Sequence, residues 1–220
     1  KPGRDSVPAR LCNLRRRIMK AIVYTEYGSP DVLKLKEVEK PVPKDNEILV
    51  KVFASSVTSG LAFIRKGQHP DSKLFTLILR LMLGFKKPRK SILGYELAGV
   101  IESIGKNVKL FMTGDQVFGT TTGLKMGSYA EYVCLPEEWK SGVVAKKPVN
   151  MTFEEAAAIP IGAMTALYIL KKANIRREKK VLVYGASGSV GTYLVQLARN
   201  SGAEVTAVLA AVKIAALAVT

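Results

Sequence analysis

Hydrophobic positions along the chain change period once. From Lys20 to about residue 145 they come in short runs: Lys20–Thr25, Leu33–Val38, Glu47–Phe53 and Ala98–Ile104. Breakers separate them, at Gly28-Ser29-Pro30-Asp31, Pro41-Val42-Pro43 and Gly105-Lys106-Asn107. Each run predicts a strand, and EILVKVF at Glu47–Phe53 alternates well enough for one polar face. GDQVFG at Gly114–Gly119 predicts a turn entering a strand, and GSYAEYVCL at Gly127–Leu135 a longer strand. Two stretches differ. Thr58–Lys66 reads as a short helix or turn, and Leu74–Phe85 as a helix ended by Gly84 and Pro88. Many short strands with glycine turns predict a small β-barrel-like domain.

After residue 145 the period becomes helical. Thr152-Phe153-Glu154-Glu155 is a capping signature leading into Ala156–Ala158, and Gly162–Ala173 reads as a second helix. Val181–Tyr184 is an apolar strand expected to be covered on both faces. GASGSVG follows at Gly185–Gly191, then a helix from Ser189 that Gly202 stops, then a strand at Glu204–Val208. Strand, glycine turn, helix and strand form the smallest βαβ unit for binding a dinucleotide. Gly185 permits the sharp exit from the strand. Gly188 lets the backbone approach a pyrophosphate, and Gly191 lets the helix pack on the strand. The helix N-terminus offers free N–H groups and a positive dipole end. The spacing is G-x-x-G-x-x-G, and a plain glycine-rich βα turn is the rival reading.

Composition narrows the partners. Net charge is +16, of which residues 1–20 carry +6, with Asp5 as the one acid there. Residues 1–18 are open to two readings, a targeting presequence or an extension foreign to the protein. The basic clusters Lys86–Lys90 and Arg176–Lys180 contain no aromatics, which argues against nucleic acid. No run approaches the roughly 18 apolar residues of a membrane span. Cys12 and Cys134 suggest no disulfide framework, and a reducing compartment, the cytoplasm, is expected. With His69 as the one histidine, no metal constellation can be built. Leu74–Lys90, LFTLILRLMLGFKKPRK, joins an apolar segment to a basic cluster. It reads either as a helix covering a cleft or the barrel, or as weak peripheral contact with an anionic membrane. The segment Leu209–Thr220 is alanine-rich, with Lys213 its single charge, and the nucleotide domain is read as incomplete.

The ordered motifs ASSVTSG, ILGYELAGVIESIG, GDQVFG, GSYAEYV, KPVNMTFEEAA, AAAIPIGAMTALYIL and VLVYGASGSVG resemble the medium-chain dehydrogenase/reductase superfamily, within it the zinc-free quinone oxidoreductase group. The resemblance runs from about Met19 to Val208. It implies an α/β chain: a basic leader at 1–18, a GroES-like β-barrel-type catalytic domain at 19–145 and a partial Rossmann domain at 146–220. It implies reduction of a quinone or α,β-unsaturated carbonyl (enone) by NADPH, and a homodimer of the complete protein. Where the alcohol dehydrogenase branch holds zinc, this chain carries Thr58, and Tyr95 beside Glu96; neither Thr nor Tyr is a normal zinc ligand. Leu61 stands where relatives often carry aspartate, and Phe63 near a pocket tyrosine of some members. Thr165 matches the family's threonine near the nicotinamide, or is an ordinary helix residue. Gly185, Ser187, Gly188, Ser189, Val190 and Gly191 would cradle the pyrophosphate.

Around Val208–Val212 no acid is present to hold the ribose hydroxyls of NAD, which favours NADPH. The proton would come from solvent or from a hydroxyl such as Tyr95 or Thr58, with Tyr95 equally readable as a packed aromatic. Alternatives to the quinone or enone reductase are an alcohol dehydrogenase-like reductase, a membrane-peripheral interaction protein and an inactive fragment.

Overall fold

A computed structural model describes residues 17–69, 72–121, 125–138 and 144–209. The basic leader up to Arg16 and the tail from Ala210, with Cys12, Val212 and Lys213, lie outside the described residues. The chain forms two compact units that divide between Ala158 and Ile159.

In the first unit, β1 (Ile18–Val23) and β2 (Lys34–Glu39) form an antiparallel hairpin, with a 3₁₀ turn at Pro30–Val32 between them. β3 (Glu47–Ala54), α1 (Ser59–Lys66), α2 (Lys73–Leu83), β4 (Glu96–Ile104), β5 (Gln116–Thr120), β6 (Tyr132–Pro136) and β7 (Val144–Lys146) follow. Five strands make one antiparallel sheet in the order β6-β3-β4-β5-β7. Alternation along β3 and β4 puts Ile48, Val50, Leu97 and Ile101 on one face, where Val117, Val133 and Leu135 complete a buried cluster. Single bridges, Ala21↔Ala130 and Val23↔Ile92, tie β1 to the segments before β6 and β4.

Two expectations are corrected here. Gly127–Leu135 does not form one long strand. Gly127 has φ +128, and Gly127 N–H donates to the Gly94 carbonyl (3.0 Å), so pairing in β6 starts at Tyr132. The first unit also runs past residue 145. α3 (Phe153–Ala157) packs Ala156 and Ala157 on Ala98 of the sheet, and the Phe153 ring stacks on Phe53 at 4.7 Å. The capping signature is realised: Glu155 N–H donates to Thr152 Oγ1 (3.2 Å) and Thr152 N–H to Glu155 Oε2 (2.9 Å).

The second unit contains α4 (Pro160–Lys172), β8 (Lys180–Tyr184), α5 (Ser189–Asn200) and β9 (Glu204–Val208). β8 and β9 pair in parallel, from Lys180↔Glu204 to Tyr184↔Val208, so the expected βαβ unit is present. Val183 is buried. Leu182 and Tyr184 point away and stay 67% and 79% exposed, so β8 is covered on one face, not two. Among the described residues no helix is long and apolar enough to cross a membrane.

Gly99 marks the tightest strand contact. A Cβ there would stand 2.0 Å from the Lys51 carbonyl oxygen, beside the register shift in β3 between Val52 and Ala54. Backbone cannot yield as a side-chain tip can. Gly99→Ala is therefore expected to destabilise the protein by about 1–3 kcal/mol, read from the urea midpoint at unchanged slope.

Candidate active site and nucleotide cradle

In the first unit the chain leaves β3 through Ser55 and Ser56, and Glu96 opens β4. Glu96 is 3% exposed. A buried carboxylate costs several kcal/mol unless hydrogen bonds meet it. Ser56 Oγ donates a short hydrogen bond to Glu96 Oε2. Ser55 Oγ donates to the Glu96 carbonyl (2.7 Å) and in turn accepts from Ser128 Oγ (2.8 Å). Tyr129 Oη donates to the Ser56 carbonyl (3.0 Å). The Glu96 carboxylate thus anchors the loop after β3, and that loop is bonded in turn to the turn before β6. Burial, and secondarily the charge of Glu96, push the Tyr129 hydroxyl pKa up.

Thr120 lies opposite Glu96 in the β4–β5 register, and its buried Oγ1 has no partner among the described residues. Cross-strand partners project from the same face, so an unmet hydroxyl stands on the carboxylate's side of the sheet. Thr58 and Tyr95 flank this cluster in sequence. Thr58 is the N-cap of α1, where its Oγ1 accepts from Leu61 N–H (3.4 Å). That leaves its own proton to donate. Tyr95 packs partly buried against Tyr24, Leu61, Leu83, Leu93 and Met126, and burial raises its hydroxyl pKa. It is a proton-bearing donor at neutral pH. Among the described residues no hydrogen bond joins the Tyr95 and Thr58 hydroxyls.

Leu61 is 2% exposed and belongs to that apolar cluster. A carboxylate there would face desolvation with only apolar neighbours. Cys134 in β6 is half-buried; desolvation, then the charge of Glu47, push its thiol up to about 12. Among the described residues no three His, Cys, Asp or Glu side chains converge as metal ligands. Glu96, Ser56, Ser128 and Thr120 were not singled out by sequence as a cluster. The one available signal was a carboxylate inside the otherwise apolar YELAGVI run.

In the second unit the turn after β8 brings Gly185, Ser187, Gly188, Ser189, Val190 and Gly191 together. Gly185 takes φ +78, and its N–H and that of Ala186 donate to the Val208 carbonyl (2.9 and 3.0 Å), fixing the turn to the end of β9. A Cβ on Gly191 would stand 2.2 Å from the Gly185 carbonyl oxygen and 2.7 Å from Ala186 Cα, so only glycine lets α5 start this close to β8. Gly188 differs. Its φ is −77, and a Cβ would meet only the Gly185 oxygen at 3.4 Å. Packing does not demand glycine there, and the position opens outward with Ser187 and Ser189, both exposed. First-turn N–H groups of α5 have no partner within the helix. An open side, free donors and the dipole end fit a pyrophosphate. Thr165 lies on an exposed face of α4. α4 approaches α5 closely at Gly162, where a Cβ would meet Ser189 Oγ at 2.5 Å.

A β-rich domain with a buried carboxylate at the start of its central strand, followed by a glycine-turn βαβ unit, is the order of elements of a two-domain dehydrogenase. The alcohol dehydrogenase GroES-like domain family matches residues 44–148. The 2-methylene-furan-3-one reductase of Solanum lycopersicum is 36% identical over 189 residues, 83% of this chain and 44% of that protein. The quinone oxidoreductase of Homo sapiens is 34% identical over 196 residues, 86% of this chain and 52% of that protein. The structure of Escherichia coli quinone oxidoreductase complexed with NADPH superposes with TM-score 0.69 at 27% identity, covering 86% of this chain and 52% of that one. Residues 44–148 match an alcohol dehydrogenase GroES-like domain, and the chain as a whole is similar to the quinone oxidoreductases of the medium-chain dehydrogenase/reductase superfamily. It spans about half the length of the curated relatives it matches.

The glycines separate by role. Gly191→Ala should cost about 1–3 kcal/mol of stability through its backbone clash. Gly188→Ser should stay within about 0.5 kcal/mol, since serine suits an N-cap at this φ. Paired thermal or urea melts of the two variants check the contrast.

Proposed function

We propose that the protein is an NADPH-dependent reductase of quinones or α,β-unsaturated carbonyls. The observation that carries this reading is the turn in which Gly191 is sterically required while Gly188 is left open toward the α5 N-terminus. Relatives named as quinone and enone reductases support the substrate class. In this reading Gly185, Ser187, Gly188, Ser189, Val190 and Gly191 hold the pyrophosphate through backbone N–H groups and serine hydroxyls. Thr165 supports the nicotinamide end. A reduced nicotinamide, when bound, supplies the hydride; the chain supplies orientation, exclusion of water and a proton.

Tyr95 and Thr58 are the proposed proton donors. The Tyr95 hydroxyl keeps its proton because burial disfavours the phenolate. The Thr58 hydroxyl accepts as a helix cap and so presents its hydrogen elsewhere. Glu96 is a positioning residue: its carboxylate accepts from Ser56 and sets the course of the loop that leads to Thr58. In this reading no catalytic zinc takes part: Thr58 and Tyr95, the residues matched by resemblance to the zinc-ligand positions of the alcohol dehydrogenase branch, are not normal zinc ligands.

The test is a fluorescence titration of NADPH. Gly188→Asp puts a negative charge against the pyrophosphate, at a cost of several kcal/mol, so affinity should fall at least about a hundredfold. Unchanged affinity would mean that the phosphates bind elsewhere. Steady-state rates with a small quinone should be higher with NADPH than with NADH; the reverse order would overturn the coenzyme choice.

A further inference from the structure

α2 is turned inside out relative to an ordinary surface helix. Its inward side carries Thr76, Leu79, Arg80 and Leu83. Leu83 is buried, and Leu79 packs against the Tyr24–Leu61–Leu93 cluster. Arg80, the one charge in the middle of the apolar segment, also turns inward. Its Nε donates to the Gly67 carbonyl (2.8 Å), a terminal nitrogen donates to the Phe85 carbonyl (3.2 Å), and the guanidinium lies 4.2 Å from the Tyr27 ring centroid. Tyr27 Oη closes the arrangement by donating to the Gly84 carbonyl (2.7 Å).

The outward side is apolar without interruption. Leu74, Phe75, Ile78, Leu81, Met82 and Phe85 are each between 41% and 67% exposed. At about 100° per residue those within α2 share one stripe with Leu77, roughly 160° wide, and Phe85 follows just past the helix end. Soluble surfaces rarely carry a contiguous apolar patch of this kind without a partner.

The charges at its end indicate the partner. Between Ser72 and Lys90 every charged residue is basic. Gly84 (φ +124) turns the chain, and Arg89 N–H donates to the Leu83 carbonyl (2.7 Å), folding the basic run back against the helix end. Lys86, Lys87, Arg89 and Lys90 are exposed there. Leu and Phe on one face with Lys and Arg beside them is the composition of a helix that lies in a lipid interface. A second copy docked on the same face with the two helices parallel would bring these like charges together, whereas an anionic surface meets them directly.

We propose that this face docks on an anionic phospholipid bilayer, with the α2 stripe among the acyl chains and Lys86–Lys90 at the headgroups. The proposal stands apart from the reductase reading, and failure of NADPH binding leaves it intact.

Vesicle flotation tests it. At low salt the protein should float with phosphatidylcholine vesicles containing phosphatidylglycerol and remain behind with phosphatidylcholine alone. Added salt should release it. Lys86→Gln and Lys87→Gln should each weaken binding about fivefold. Leu81→Ser with Phe85→Ser should abolish it. All four side chains are exposed, and unchanged circular dichroism would show that the fold is kept. No flotation at low salt, or equal flotation on neutral vesicles, overturns the proposal. So does a dimer that Leu81→Ser converts to monomer in light scattering, since the face would then belong to a second copy.

Discussion

Glu96 sets the terms for the first unit. A carboxylate buried at the start of a central strand is tolerated only where hydrogen-bond donors meet it. Ser56 supplies one, and to do so the chain must turn sharply as it leaves β3. Ser55 then reaches the Glu96 carbonyl and Ser128, and Tyr129 reaches the Ser56 carbonyl. Three segments far apart in sequence are thereby tied to one point. Thr58 caps α1 immediately after this loop, and Tyr95 precedes Glu96. The placement of both proposed donors depends on the buried Glu96 carboxylate.

The second unit is governed by close approach. Gly191 and Gly162 are positions where any side chain would meet neighbouring atoms closer than real contacts allow. They bring α5 against β8, and α4 against α5. Gly188 carries no such burden, so its openness speaks for a ligand, whereas packing alone accounts for Gly191. Three glycines that look alike in GASGSVG therefore do three things: one adopts positive φ, one leaves space and one removes a clash. The proposed nucleotide binding rests chiefly on the second.

α2 illustrates the limits of periodicity. An apolar stripe at helical spacing ordinarily marks the buried face. Here the anchoring face is held by an arginine bonded to two carbonyls and stacked on Tyr27, with two leucines beside it. The helical period was legible, but the side that faces the protein was decided by the partners Gly67, Tyr27 and Phe85.

By itself the sequence determined most of the secondary structure and the order of the two units. Alternation, capping and glycine punctuation are local signals, and β3, β4, the Thr152 capping box and the βαβ unit follow from them. The Gly185–Gly191 turn, where the pyrophosphate is proposed to lie, was legible too, because it is a single contiguous stretch. The tertiary structure alone decided the rest. Gly127–Ala130 is held out of the sheet by bonding to Gly94, and α3 joins the first unit by packing on Ala98. Leu61 became core, and Glu96 met Ser56 and lay opposite Thr120 across the sheet. Each of these depends on residues tens of positions apart, and no local pattern records which distant group a side chain will meet.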